Sequence, residues 1–599
     1  LDSAIAGIGF RGLFYASQSR ETDPMSEARH SMFDSGPAPA AQPRIPFTAW
    51  ALVVLLLALF AAQNLVEMTR ESCSSDEVAH LPAGYTYLLK HDFRLNREHP
   101  PLMKVLCALP LLALHPKIDF NNPEWNEASP LSSAQFGFNF LYANDADRLL
   151  FWGRVPVVLI AVLLGFFVFR WAQQLYGYPA GLFALGLFAF SPNMIAHSHF
   201  VTTDLGFSAF STISFYFLWR YLSDGKPRSF LGSAAAMGAA LASKFSAIFV
   251  FPVALLLLWM FYGAARNKSD PAAPSRSPAG ADDSKFAAEG GDPRHFLNAA
   301  VWSQQLQVDR KKVLAVLAFV GIAVIVVQLS YLGSPDVTLY LKGMLQVDKN
   351  FDPQNPAYLH GSLSIGGWWF YYVVAFLVKA TAPFLILILV RLIQLIRDRA
   401  ADWWPSLFLI LPSLVLFIAV SMFAAPIGIR YVLPVFPLLM VYVSGVVRTF
   451  KTSKAALAIC GVLLCWHIAS SLAAFPYSLS YFNELAGGPS QGIYWLDDSN
   501  LDWGQDLKGV KQVMSRMGIE SVTLYPFNSY DNPEYYGIPM RRPTGREWAQ
   551  MVTSPNPPPG VYVVSGHWVA IMHGLGIDWV KRYPVIAHLG YSIYFFRIS

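Results

Sequence analysis

Residues 47–80 read FTAWALVVLLLALFAAQNLVEMTRESCSSDEVAH. Positions 47–66 carry no charge and match the roughly 20 residues that a helix needs to cross a bilayer. The run is too long for the apolar part of a signal peptide and lacks a small-residue cleavage site after it, so it reads as a retained anchor. Shortly beyond it, Ser74-Ser75-Asp76-Glu77-Val78-Ala79-His80 sets two acids at the water–lipid boundary. A carboxylate placed there can act as a general base beside a lipid-borne substrate.

The rest of the chain repeats the apolar theme. Of 599 residues, 54% are hydrophobic and 14% charged, and the mean hydropathy is +0.38. That composition excludes an ordinary soluble protein and implies a polytopic membrane protein. The 17 Trp and 27 Tyr suit two interfacial belts. A net charge of +5 gives no reason to expect a nucleic-acid partner. The four cysteines form neither a disulfide framework nor a zinc pattern. Cys73 and Cys107 fall on one side of the expected topology, where pairing is one reading. Cys460 and Cys465 read as packing residues.

Eleven stretches qualify as candidate spans: 47–66, 151–171, 178–197, 201–222, 229–243, 245–262, 313–332, 369–391, 405–423, 430–448 and 455–474. The pair around Ser243-Lys244 can also be read as one broken helix. With the N-terminus in the cytoplasm, every short inside loop is basic: Arg170; Arg220, Lys226 and Arg228; Arg266, Lys268, Lys311 and Lys312; Arg391, Arg397 and Arg399; Arg448, Lys451 and Lys454. The outer segments are then 67–150, 198–200, 333–368, 424–429 and 475–599. Losing one span would invert every later loop.

Residues 1–46, with Met25 as an internal candidate start, and the cytoplasmic linker 263–312 have the composition of disordered chain. In the first outer loop, 77–90 and 101–115 read as short helices lying on the surface, the second opened by Pro100-Pro101. Residues 476–599 change character. Strand-like runs at 521–525, 560–564 and 592–596, a helix over 506–517 and Pro/Gly turns predict a small α/β domain outside the membrane.

Several motifs fall on the expected outer side: Asp76-Glu77, Glu98-His99-Pro100-Pro101-Leu102, Thr202-Thr203-Asp204, Ala242-Ser243-Lys244-Phe245 and Arg430-Tyr431-Val432-Leu433-Pro434. Their order and topology resemble the GT-C superfamily of lipid-carrier-dependent glycosyltransferases, over residues 47–475. Within it they resemble the branch of protein O-mannosyltransferases and lipid A aminoarabinose transferases. The stretch from Tyr481-Phe482-Asn483-Glu484 to Asp498-Ser499-Asn500-Leu501-Asp502-Trp503-Gly504-Gln505-Asp506 resembles bacterial members of that branch.

The resemblance implies an inverting transfer on the periplasmic face of a bacterial inner membrane. The donor is a sugar on a polyprenyl phosphate, and the acceptor a protein, lipid or glycan. Asp76 is then the candidate base, with Glu77 and Asp204 as further catalytic acids. Each has a local alternative: Ser74-x-x-Glu77 is a capping box, and Thr202-Thr203 can cap the helix that Asp204 opens. Lys244, Arg430, Arg97 and His99 are candidates for the leaving phosphate. Lys244 and Arg430 run against the positive-inside trend, although Lys244 can also be snorkelling to the interface. Many relatives carry Lys where this chain has His99, a departure that weakens a direct phosphate contact there. Weaker candidates are His80, which reads more simply as a solvated histidine, and Lys342, Lys349 and His360 in the 333–368 loop. Asp498 and Asp502 lie in an acidic stretch that reads as a solvated loop. Its spacing is not that of an EF-hand. Trp495 and Trp503 can stack on a sugar or anchor at the interface. A divalent metal is compatible with this chemistry but no motif demands it. The competing readings are a lipid-linked-sugar transporter or flippase, which calls for repeat symmetry and charges deep in the spans, and a non-catalytic glycan-assembly subunit.

Overall fold

The computed structural model describes residues 45–267, 308–350, 356–397, 403–451, 453–551, 553, 557–577 and 579–599. Almost all of the 1–46 segment and most of the 263–312 linker therefore lie outside the described residues, as does the side chain of Lys349.

Among the described residues, six helices are long and apolar enough to cross a membrane: Phe47–Arg70, Ala146–Tyr176, Phe245–Tyr262, Arg310–Ser330, Trp404–Phe423 and Lys454–Ala474. A seventh is added if Tyr371–Lys379 and Ala382–Arg397, bent by 112°, count as one span. The chain is a multi-pass membrane protein, but these helices do not confirm eleven spans. The candidate at 178–197 breaks at Ser191-Pro192 into Tyr178–Ala189 and Pro192–Ala196. The one at 430–448 becomes a 3-10 turn, a helix over Val435–Val443 and a second 3-10 segment. Helices Asp204–Asp224 and Pro227–Ser243 do form, but they are rich in small and hydroxyl residues and face each other. Ser214 Oγ donates to the Ser233 carbonyl and Ser233 Oγ to the Ser214 carbonyl, both at 2.9 Å. Such helices are buried by protein rather than by lipid.

The first outer loop departs further from expectation. Helices Glu77–Lys90 and Leu102–Ala108 form where predicted, but they do not lie on the surface. Leu81, Tyr85, Met103 and Cys107 belong to the main apolar core. Glycine permits the close approach. A Cβ on Gly84 would sit 2.0 Å from the Lys104 carbonyl oxygen, and one on Gly137 1.7 Å from that of Val78. Cys73 and Cys107 are both free and buried, which corrects the pairing reading.

The C-terminal part carries a five-stranded mixed sheet. Its strands are β3 (Val522–Tyr525), β4 (Met540–Arg541), β5 (Gly560–Ser565), β6 (Val585–Leu589) and β7 (Ile593–Ile598), in the order β4-β3-β5-β7-β6. Strand β3 is parallel to β4 and β5, while β7 runs antiparallel to β5 and β6. Helix Val510–Met517 packs Val510 and Met514 onto Leu524, Val563 and Phe595 in a separate apolar cluster. The three predicted strands form the middle. The edge strands β4 and β6 were not anticipated, because one has two residues and the other is only partly buried. A hairpin of β1 (Pro356–Leu359) and β2 (Ser362–Ile365) in the 333–368 loop docks here through His360 N–H, 2.9 Å from the Trp495 carbonyl.

Candidate active site

Four segments far apart in sequence converge at one end of the helices. Asp76 ends the turn after the first long helix, and Asp204 opens a helix. Lys244 sits at the break between Pro227–Ser243 and the 3-10 turn Phe245–Phe249, in extended conformation. Arg430 lies in the 3-10 turn Ile429–Val432. The Arg430 guanidinium is 2.5 Å from an Asp76 oxygen and 3.6 Å from Asp204 Oδ2, while Lys244 Nζ is bonded to Asp204 Oδ1. Two acids and two bases thus form one nearly neutral cluster. Asp204, Lys244 and Arg430 are buried, while the Asp76 side chain keeps 24% exposure. The cluster therefore opens to its surroundings through Asp76. Arg430 Nε and Asp204 Oδ2 are buried without a hydrogen-bond partner, a costly state that marks unused binding capacity.

Aromatic rings wall this cluster. Lys244 Nζ lies 4.1 Å from the Tyr431 ring centre, and the Arg430 guanidinium 4.3 Å from that of Trp503. Trp503 is buried here rather than anchored at an interface, and Trp495 packs on His360 at 4.5 Å. The 497–506 stretch, expected to be a solvated acidic loop, is instead threaded into the fold. Asp498 is partly buried and Asp502 fully so. Ser72 N–H bonds the Gln505 carbonyl at 2.7 Å and Ser75 N–H that of Trp503 at 3.0 Å. Asn500 accepts from Ile429 N–H at 2.8 Å, next to Arg430. This segment therefore fixes the Asp76 turn and the Arg430 turn together. Asp498 lies within electrostatic reach of Arg430; burial and its neighbour Asp497 push its carboxyl up to about 6. Asp502 is turned away, bonded to Ser565 Oγ and to Gly504 N–H.

Neither acid of the first pair caps in the expected way. Asp76 makes no capping bond. Glu77 is fully enclosed: Arg154 Nε and Nη2 meet its two oxygens at 2.8 and 2.6 Å. It also accepts from Ser74 N–H and Val201 N–H, each at 2.9 Å, so only one half of the capping box is made. Burial alone would raise its carboxyl, but Arg154 and the backbone donors outweigh that and lower it. Glu77 has no lone pair left for an acceptor; it positions Asp76 and the 201–204 segment. Thr203 precedes the Asp204 helix without making a side-chain cap either.

His80 is not solvated. It is buried, with Nδ1 2.9 Å from the Val201 carbonyl, and burial lowers its imidazole to about 4. Its ring meets that of His99 edge-on at 5.1 Å. Burial, with His80 and nearby cations adding, holds His99 well below the ordinary range. Both imidazoles are neutral at neutral pH, so His99 offers a phosphate a hydrogen bond but no charge. Arg97 is half-buried and donates to the Phe93 carbonyl at 3.3 Å, outside the cluster. Lys342 pairs with Asp336 at 2.7 Å on the surface, and His360 lies in the exposed β1–β2 turn. Neither reaches the site.

Arg154, bonded to Glu77, is a buried neighbour of this cluster outside the motifs named above. Its signal was available: an arginine inside the apolar run 151–171 needs a buried partner. A cleft lined by Trp368, Trp369, Tyr372, Met422 and Pro426 adjoins the cluster, since the Tyr372 and Tyr431 rings are 6.2 Å apart.

The comparisons with known proteins stand beside this geometry. Residues 147–271 match the family described as dolichyl-phosphate-mannose-protein mannosyltransferase. Nothing matches among curated proteins. Similar solved structures include ArnT from Cupriavidus metallidurans bound to undecaprenyl phosphate, at 13% identity and TM-score 0.44, covering 92% of this chain and 98% of that one. The oligosaccharyltransferase AglB from Archaeoglobus fulgidus, in complex with an inhibitory peptide and a dolichol-phosphate, gives 10% and 0.42, covering 90% and 72%. The S. cerevisiae protein O-mannosyltransferase Pmt1-Pmt2 complex bound to the sugar donor gives 17% and 0.30, covering 57% and 40%. The segment 147–271 is thus similar in sequence to a protein-mannosyltransferase family, and that segment carries the likeness.

Proposed function

We propose that the protein is an inverting glycosyltransferase that moves a sugar from a polyprenyl-phosphate-type carrier to an acceptor, on the outer face of a bacterial inner membrane. One observation carries the reading: the buried cluster in which Asp76, the only partly exposed member, shares Arg430 with Asp204, which in turn holds Lys244. The acceptor's oxygen or nitrogen attacks the anomeric carbon, and the bond from that carbon to the phosphate oxygen breaks on the opposite face. The acceptor proton passes to Asp76. The negative charge left on the lipid phosphate is met by Arg430 and Lys244. Arg430 engages Asp76 directly. A donor phosphate competing for that guanidinium frees the carboxylate at the moment it is needed, while Asp204 keeps Lys244 in place. The aromatic cleft beside Tyr372 is a fitting bed for the first isoprene units. The transporter reading draws no comparable support, since these charges gather at one end of the helices.

The test is Asp76→Asn in purified, folded protein with a lipid-linked sugar donor and an acceptor panel. Transfer should fall by at least about a hundredfold, the usual scale for a general base, with donor binding retained. Normal turnover would remove Asp76 from the role.

A further inference from the structure

Behind the Asp76 turn lies a second polar cluster that the transfer reaction does not use. Glu67 and Glu71, four residues apart, share one face at the end of the first long helix, and His199 packs against them. All three are buried, and one ligand atom from each lies within 4.8 Å of the others. We propose that Glu67, Glu71 and His199 hold a divalent transition-metal ion of the Zn2+ type, at a structural site separate from the reacting groups.

Hydrogen bonding supports this. Asn64 Nδ2 donates to the Phe60 carbonyl at 2.8 Å, which turns its amide oxygen toward His199. His199 Nδ1, 3.1 Å from that oxygen, therefore carries a proton. In the neutral ring, Nε2 then presents a lone pair to Glu71 Oε2 at 2.7 Å. Two lone pairs at that distance repel unless a proton or a cation joins them. A proton settles that contact alone. It leaves Glu67 Oε2, buried and without a partner, unexplained; Ser478 Oγ engages only Glu67 Oε1. A metal ion bonded to Nε2 and both carboxylates satisfies all three, and Asn64 supplies the outer hydrogen bond that metal-bound imidazoles ordinarily have. One nitrogen and two carboxylates suit Zn2+, with water completing the coordination. Glu71 also lines a polar cavity with Asp145, Asp147 and Arg148, which gives an ion a path inward. Such an ion would tie the helix end that leads to Asp76 to the segment that leads to Asp204, fixing the spacing of the two acids.

This inference does not depend on the transferase reading, and its test has no activity readout. Full-length protein in detergent, treated with chelator, is titrated with Zn2+ by calorimetry and followed by thermal unfolding. One Zn2+ should bind per chain and raise the melting temperature. Glu71→Gln and His199→Gln should each weaken binding at least about tenfold, in line with losing one of three protein ligands, whereas Asp76→Asn should bind as wild type does. Should a variant fail to fold, Glu67→Gln, which keeps the volume and a Ser478 contact, takes its place. A folded wild-type protein that binds no Zn2+, or binding that survives Glu71→Gln and His199→Gln unchanged, would overturn the site and leave a proton-linked cluster.

Discussion

At the residue scale, the acids of the Asp76-Glu77 pair are separated by what surrounds them. Glu77 meets Arg154 and two backbone donors in a dry environment, so its charge is structural. Removing one partner of a buried ion pair leaves the other charge uncompensated, at about 3–5 kcal/mol. Glu77→Gln should therefore lower the melting temperature sharply, and by more than Asp76→Asn, because Asp76 is partly exposed and Asp204 still faces Arg430 at 3.6 Å. Thermal unfolding of both variants in detergent checks the contrast. Arg430 touches two carboxylates with one planar group and lies against Trp503. A lysine has no planar group to lie against that ring while meeting both acids. Arg430→Lys should cut transfer about 10²–10³-fold, the scale of losing one preorganised donor, and weaken donor binding measured by titration.

At the scale of elements, the site depends on how closely two short helices of the first outer loop approach their neighbours. Gly84 and Gly137 make that contact backbone to backbone, and no flexible side chain can yield there. Gly137→Ala should destabilise the fold by about 1–3 kcal/mol, the usual cost of overpacking. It should also reduce transfer despite its lack of contact with substrate, because the helix it displaces begins at Glu77. Denaturation together with an activity assay checks both. The periodicity of 77–90 was legible as a helix. That it is buried by protein was not, since an apolar face looks the same whether lipid or protein covers it.

At the scale of the whole molecule, the C-terminal sheet reports on pH through His567. Burial alone would depress its imidazole, but Asp497 at 2.9 Å, with Asp498 and Asp502 behind it, raises it to about 9. Its unfolded value is about 6.5. The stabilisation is therefore complete below about pH 6.5 and is lost as pH rises through about 9. Wild-type melting temperature should fall between pH 7 and pH 10 by more than that of His567→Gln; equal slopes would exclude the ion pair as the cause. Buried Asp506 and Asp531, pushed by burial up to about 8, lose stability in the same direction, so the difference between the two proteins is the readout.

The sequence alone determined that the chain crosses a membrane several times, where its long apolar helices run, and that Asp76, Asp204, Lys244 and Arg430 are polar groups where polarity is costly. Those properties are local, set by composition and by the length of uncharged runs. It also located the three central strands of the C-terminal sheet, whose alternation is strong. Tertiary structure decided the rest. It paired Arg430 with Asp76, 354 positions away, and split a carboxylate pair into one enclosed and one accessible member. It buried His80, drew the acidic 497–506 stretch under Arg430 and broke three expected spans into shorter pieces. Each of these turns on which distant segment fills the space beside a residue, and burial by a partner far along the chain leaves no local trace in composition or period.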